Sequence, residues 1–246
     1  MHCEELTLAS DGLTLAARLH RPAAADGAPA LILCHGFGSC KENQAGFAAE
    51  AVARGWVVLS FDFRGHGASD GCLDSRTVHD IGAALTCLQN ESGIDTERIV
   101  VRGTSMGGYW ALLAAREWPA LAACVALNPL DEAALGQVLR DADDPETPLG
   151  RWRAGGTGFP RVMGCDLACW LESHDVYAAA GEVAPRPLLL IHATGDARAA
   201  ARISEDLYAA AGEPRTLWLI DAGDHCSPGR DPAVSARTLD WLDAAR

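Results

Sequence analysis

The stretch Gly103-Thr104-Ser105-Met106-Gly107-Gly108 decides how the chain is read. It fits Gly-x-Ser-x-Gly. The apolar, β-branched run Ile99-Val100-Val101 precedes it, and a helix-compatible segment from Met106 to Trp118 follows, stopped by Pro119. Strand, sharp turn and helix is the context that makes such a pattern a nucleophile elbow. A serine at the apex of so tight a turn takes a positive φ, and side chains two positions away on either side would collide. Gly103 and Gly107 remove those side chains, and Gly108 lets the helix start against a neighbouring backbone. The Ser105 hydroxyl is then presented at a helix N-terminus, where the Met106 N–H is open to a developing oxyanion.

Outward from this turn the chain alternates strands and helices. Leu6, Leu8, Leu13, Leu15, Ala17 and Leu19 follow period two around Ser10-Asp11-Gly12, which predicts a β-hairpin. Short apolar runs at Leu31–Cys34, Trp56–Phe61, Leu121–Leu127, Leu188–His192 and Thr216–Ile220 read as strands buried on both faces. Helices are predicted over 42–54, around Val78–Leu88, and over 202–211 and 231–244. This order gives an α/β fold: a mostly parallel sheet, taken as eight-stranded, with helices on both faces. From Leu130 to Pro185 the alternation stops, with short helices expected around 131–139 and 165–180. The division is therefore a core of 1–129 and 186–246 with a small cap insertion at 130–185, since loops of that length are usually functional.

Composition narrows the classes. The 246 residues suffice for one such domain, and 49% hydrophobic with 22% charged residues is a globular balance. A formal charge of −13 argues against nucleic-acid or membrane partners. The N-terminal residues lack a basic and apolar signal pattern, and no run is long enough to span a bilayer. Nine scattered cysteines without a Cys-x-x-Cys pair suggest free thiols in a reducing cytoplasm. The eight histidines show no ligand spacing, so no metal and no cofactor is expected. The sequence leaves the oligomeric state open, a homodimer included.

A serine nucleophile needs a base and an orienting carboxylate. His225 follows the last strand in Asp221-Ala222-Gly223-Asp224-His225, on a loop at a strand's carboxyl end, where open α/β sheets bind ligands. Asp196, in His192-Ala193-Thr194-Gly195-Asp196, just past the preceding strand, is the preferred acid; Asp131 and Asp224 compete for the role. His35-Gly36-Phe37-Gly38 ends the strand expected beside the elbow strand, so the N–H groups of Phe37 and Met106 would form a two-donor oxyanion hole. His35, His66 and His192 read as structural. In the insertion, Trp152, Phe159, Trp170 and Tyr177 with Arg151 and Arg153 are candidates to line a substrate pocket.

Taken together, these segments resemble the α/β-hydrolase superfamily over nearly the whole chain. Within it the chain is most similar to bacterial cinnamoyl and feruloyl esterases and their carboxylesterase relatives. The features that carry this are His35-Gly36-Phe37, Asp62-x-Arg64-Gly65-His66-Gly67, Ser105-Met106-Gly107-Gly108 and Asp224-His225-Cys226. It departs from them at Ala197-Arg198-Ala199-Ala200, where relatives commonly show valine-proline, and at Thr104, where they often carry histidine. The resemblance implies a serine esterase acting on a small-molecule ester through an acyl-enzyme. A thioesterase or a serine peptidase or amidase would use the same residues, and a non-catalytic hydrolase-fold binding protein is the alternative from another class.

Overall fold

The structure, a computed structural model, describes residues 2–244. β1 (His2–Ser10) and β2 (Leu13–Arg21) pair antiparallel across the two-residue turn Asp11-Gly12, both at positive φ, which matches the twist of a hairpin. β3 (Ala28–Cys34), β4 (Val57–Phe61), β5 (Ile94–Thr104), β6 (Leu121–Leu127), β7 (Leu188–Ala193) and β8 (Arg215–Ile220) run parallel to one another. The sheet order is β1-β2-β4-β3-β5-β6-β7-β8, so the elbow strand β5 sits near the middle, between β3 and β6.

Residues of the central strands are buried on both faces, and alternate side chains feed two cores. Leu31, Leu33, Val100 and Val125 pack with Phe47 and Val52 of α1 (Ala45–Ala53) and with Leu239 and Leu242 of α10 (Pro232–Ala244). Ala30, Ile32, Val101 and Cys124 face the other way, toward α2 (Val78–Asn90), α3 (Met106–Glu117) and α8 (Arg202–Ala210). α3 is buried almost throughout, from Met106 to Ala115, which ties the residue that starts it firmly to the sheet.

The loop after β4 is held by buried charges that are fully partnered. Arg64 has no exposed surface, and its guanidinium meets Asp80 at 2.7 Å, Asp74 at 2.9 Å and Asp11 at 2.8 Å. Asp62 accepts from the Lys41 N–H at 2.7 Å and the Ala68 N–H at 3.0 Å. Buried guanidinium and carboxylate groups persist only with such partners.

Between β6 and β7 lie α4 (Glu132–Asp143), α5 (Pro148–Gly155), α6 (Gly164–Ser173) and α7 (Val176–Gly181). α4, α5 and α6 surround a cavity of about 700 Å³, whereas α7 packs on α3 and α8. The helix expected over 165–180 is two helices: Asp175 accepts from the Tyr177 and Ala178 N–H groups and starts the second one. α5 had no counterpart in the sequence reading, although Thr147-Pro148 is a capping residue followed by proline at the first helical position. The insertion is stitched to the loop after β4 by backbone bonds: Arg161 N–H to Gly65 O (2.9 Å) and Leu73 N–H to Arg161 O (2.8 Å). A one-turn helix, α9 (Ser227–Arg230), follows β8. Among the described residues no helix is long and apolar enough to cross a membrane.

Candidate active site

Ser105 stands between β5 and α3 with φ 58° and ψ −123°, a conformation that costs a non-glycine residue roughly 1–3 kcal/mol. The glycines around it are required by contact. A Cβ on Gly103 would lie 2.0 Å from Gly107 O, and one on Gly107 would lie 2.4 Å from Cys34 O. The turn is therefore closed as tightly as backbone permits, and it holds the serine in its strained conformation.

The Ser105 hydroxyl lies 2.7 Å from His225 Nε2, and His225 Nδ1 lies 2.6 Å from Asp196 Oδ2. The other oxygen of Asp196 accepts from the backbone N–H of Arg198 (2.8 Å) and Ala199 (3.1 Å). The run Ala197-Arg198-Ala199-Ala200 thus supplies two backbone donors to the acid. Burial pushes the Asp196 carboxyl up. Hydrogen bonds from His192, His225, Ala199 and Arg198 outweigh that and hold it well below the usual carboxylate range. Because Asp196 is acceptor-only, His225 carries its proton on Nδ1 and turns a lone pair toward Ser105.

The competing acids are engaged elsewhere. Asp131 caps α4 through the Ala134 N–H at 2.7 Å and accepts the Tyr177 hydroxyl at 2.8 Å. Asp224 accepts from the Cys226 N–H and the Ser227 hydroxyl within its own turn.

Phe37 follows β3, and Met106 is the first residue of α3. Among the described residues neither N–H meets a protein acceptor. Gly36 lies close under the serine, where a Cβ would come within 3.2 Å of Ser105 Cβ. His35 fixes this loop from below: Nδ1–H donates to Gly36 O at 2.8 Å and Nε2 accepts from the Phe63 N–H at 3.1 Å. Burial holds its pKa down at about 4, so it is neutral and structural. His66 is likewise buried and held at about 3, first by burial and then by the neighbouring His35. His192 bonds the Ser204 hydroxyl and the Ala199 carbonyl.

The cleft that holds Ser105 and His225 measures about 470 Å³ and is bounded by residues 36–50, 102–105, 198 and 225–235. No side chain of the insertion lines it. Trp152 and Phe159 stand behind the 36–38 loop: the Trp152 ring covers Gly38, and the Phe159 ring meets Phe37 edge-on at 5.7 Å. Trp170 is not brought to the serine. Its indole packs on Trp110 at 5.9 Å and stacks on His174 at 3.3 Å, in the packing between α6 and α3. Tyr177 lies against Asp131. Arg151 donates to Glu146 O and Arg153 pairs with Asp143, so these two arginines are bound within the insertion itself.

Two residues at this site were not singled out from the sequence. Asn128, buried after β6 at φ 41°, donates to His225 O at 2.7 Å and accepts from the Ala193 N–H at 2.9 Å, clamping the histidine loop to β7. An asparagine ending a buried strand before proline was its signal, because asparagine tolerates positive φ. Arg102, on β5, lies in the wall of the cleft.

A mostly parallel sheet that delivers a strained serine from a central strand, facing histidine and aspartate from the loops after its last two strands, defines an α/β hydrolase architecture. The family model described as alpha/beta hydrolase fold matches residues 29–151, 123 of the 246 residues, and the chain belongs to that family. The quorum-quenching protein AidA of Acinetobacter baumannii is 32% identical over 129 residues, 50% of this chain and 42% of that protein. The thiohydrolase aneE of Aspergillus aculeatus is 36% identical over 132 residues, 51% of this chain and 41% of that protein. This chain therefore spans less than half the length of either relative. Est1E of Butyrivibrio proteoclasticus, solved with ferulic acid bound, shares the fold: TM-score 0.80, 21% identity, 98% of each chain covered.

Proposed function

We propose that the protein is a serine hydrolase that cleaves a carboxylic ester through an acyl-enzyme. The observation that carries this is the unbroken row from Asp196 through His225 to Ser105, at 2.6 and 2.7 Å, ending on a strained serine at a helix N-terminus. In this reading His225 Nε2 takes the Ser105 proton as Oγ attacks the ester carbonyl carbon. The carbonyl oxygen becomes an oxyanion held by the N–H groups of Phe37 and Met106, each such donor stabilising the transition state by about 3 kcal/mol. The intermediate collapses, and the protonated His225 gives its proton to the departing alkoxide. Water enters, loses a proton to His225, attacks the acyl carbonyl and releases the acid and Ser105. Asp196 keeps the imidazole in its working tautomer throughout.

The likeness to a thiohydrolase favours a second reading, thioester cleavage by the same residues. A panel of esters, thioesters and anilides of one acyl group separates the two, together with a fluorophosphonate probe of the serine. Wild-type protein should label at Ser105 and turn over esters. Ser105→Ala should lose labelling and about a million-fold in kcat, because serine and histidine act as a unit. A Ser105→Ala protein retaining a tenth of wild-type turnover would sink the assignment. Labelling with no ester turnover but fast thioester turnover would select the second reading. A hydrolase-fold binding protein would do neither.

A further inference from the structure

Arg102 lies three residues before Ser105, about 10 Å back along the strand at its usual rise. Its side chain is 2% exposed, yet among the described residues its guanidinium makes no ion pair within 4.0 Å and its Nε has no hydrogen-bond partner. Its guanidinium carbon lies over the face of Phe47, 3.8 Å from the ring centroid. The contrast with Arg64 is direct: that guanidinium is as deeply buried and is met by three aspartates. A guanidinium with no counter-ion, whose Nε donor is buried without an acceptor, is a costly arrangement, and it becomes favourable once a ligand supplies the acceptors.

The donors are not sealed in the core. Arg102 shares the 470 Å³ cleft with Ser105 and His225. Two exposed arginines, Arg198 and Arg230, stand on the same cleft, against one carboxylate, Glu50. Glu50 is exposed and sits beyond ion-pair distance from Arg102, although its field reaches it. Burial pushes the Arg102 pKa down to about 10, which leaves it charged at neutral pH. A chain of formal charge −13 therefore carries a locally positive cleft around its reactive serine.

We propose that the substrates of this site carry a carboxylate beyond the scissile ester, and that Arg102 is the residue that selects them by pairing with it. The inference rests on the ester-hydrolase reading and names its substrate class. A planar carboxylate matches the guanidinium fork with two parallel bonds, and the cleft has room for a short chain between that carboxylate and the carbonyl at Ser105. Arg198 and Arg230 draw the anion in from the rim, and Glu50, the one carboxylate on the cleft, weakens that attraction.

The test compares the 4-nitrophenyl monoester of glutaric acid with 4-nitrophenyl butyrate, in wild type, Arg102→Met and Arg102→Lys. Wild type should prefer the glutarate ester by 10- to 100-fold in kcat/KM, mostly through KM, with the preference shrinking as salt is raised. Arg102→Met should abolish the preference, and Arg102→Lys, which keeps the charge and loses the fork, should restore part of it. Loss of both esters by one common factor, or an unchanged ratio, overturns the proposal. Free glutarate, followed by calorimetry and by protection of Ser105 from a neutral fluorophosphonate, tests the subsite without turnover. Wild type should bind it and Arg102→Met should not. Glutarate binding without ester turnover would keep the subsite and overturn the reaction; ester turnover without glutarate binding would do the reverse. Should Arg102→Met fail to fold, Glu50→Gln on the exposed face of α1 replaces it and should tighten glutarate binding. No tightening there counts against Arg102.

Discussion

Asp196 and Asn128 act on His225 from opposite sides, one through its ring and one through its backbone. Asp196 fixes which nitrogen bears the proton. Asp196→Asn retains the shape and presents an amide donor to Nδ1, so His225 shifts its proton to Nε2 and loses the lone pair that faces Ser105. Turnover should drop on the order of 10⁴-fold with the circular dichroism spectrum unchanged; a drop under tenfold would show that the acid is dispensable. Asn128 ties the carbonyl of His225 to the N–H of Ala193 through one buried amide. Asn128→Ala leaves both groups without partners, at about 1–3 kcal/mol each for a buried polar group. We expect a lower melting temperature and a 10- to 100-fold fall in kcat with KM little changed, because the imidazole loses its fixed position while the cleft keeps its walls.

At the scale of elements, the parts governed by local rules were readable in advance. The hairpin turn, the buried strands and the β5–α3 elbow follow from period, from Asp11-Gly12 and from glycines whose Cβ positions are filled by backbone. The row of Ser105, Asp196 and His225 was readable because each residue sits at the end of a strand that alternation already locates. The insertion was not, because tertiary contacts shape it: Asp175 cuts one expected helix in two, and Arg161 binds the segment to the loop after β4. Arg102 was not legible either, since an arginine in a β-branched strand carries no pattern that distinguishes a paired guanidinium from an unpaired one. The sequence points to the aromatics at 152 and 159 as pocket walls; neither lines the cleft that holds Ser105, Trp152 standing over Gly38 and Phe159 against Phe37, with Phe159 on the cavity among α4, α5 and α6. In the proposed mechanism their effect would come through the Phe37 N–H. Trp152→Ala should lower kcat about tenfold for every ester in a panel without reordering them, because a displaced donor weakens all transition states alike. A reordered panel would put the indole in contact with substrate after all.

At the scale of the whole molecule, burial lowers the pKa of His20, His35 and His66, and this couples stability to pH. His35 and His66 are buried beside each other, ring centroids 5.0 Å apart, and their pKa values lie at about 4 and about 3. His20 is lowered too, first by burial and then by Arg18. In the unfolded chain each titrates near 6.5. Above pH 6.5 both states hold these rings neutral, and the folded protein has its full stability from them. As pH falls below 6.5 the unfolded chain takes up protons that the folded chain refuses, so stability declines, by about 1.4 kcal/mol per pH unit for each deeply lowered histidine. The decline stops only below the folded values, near pH 4 for His35 and pH 3 for His66. Asp196 adds a loss of the same sign at lower pH, beginning as the unfolded chain's carboxyl takes up a proton near pH 4 while the folded carboxyl stays charged. From pH 7 to pH 5, His35 and His66 together should remove about 4 kcal/mol, a large share of the 5–15 kcal/mol of an ordinary domain. Urea unfolding at pH 7, 6 and 5 reads this directly as a falling midpoint at constant slope. His66→Gln, which leaves the His35 bonds to Gly36 and Phe63 in place, should make the decline shallower by about 1.4 kcal/mol per pH unit. Equal unfolding free energies at pH 7 and pH 5 would mean that these rings are solvated in the folded protein rather than buried.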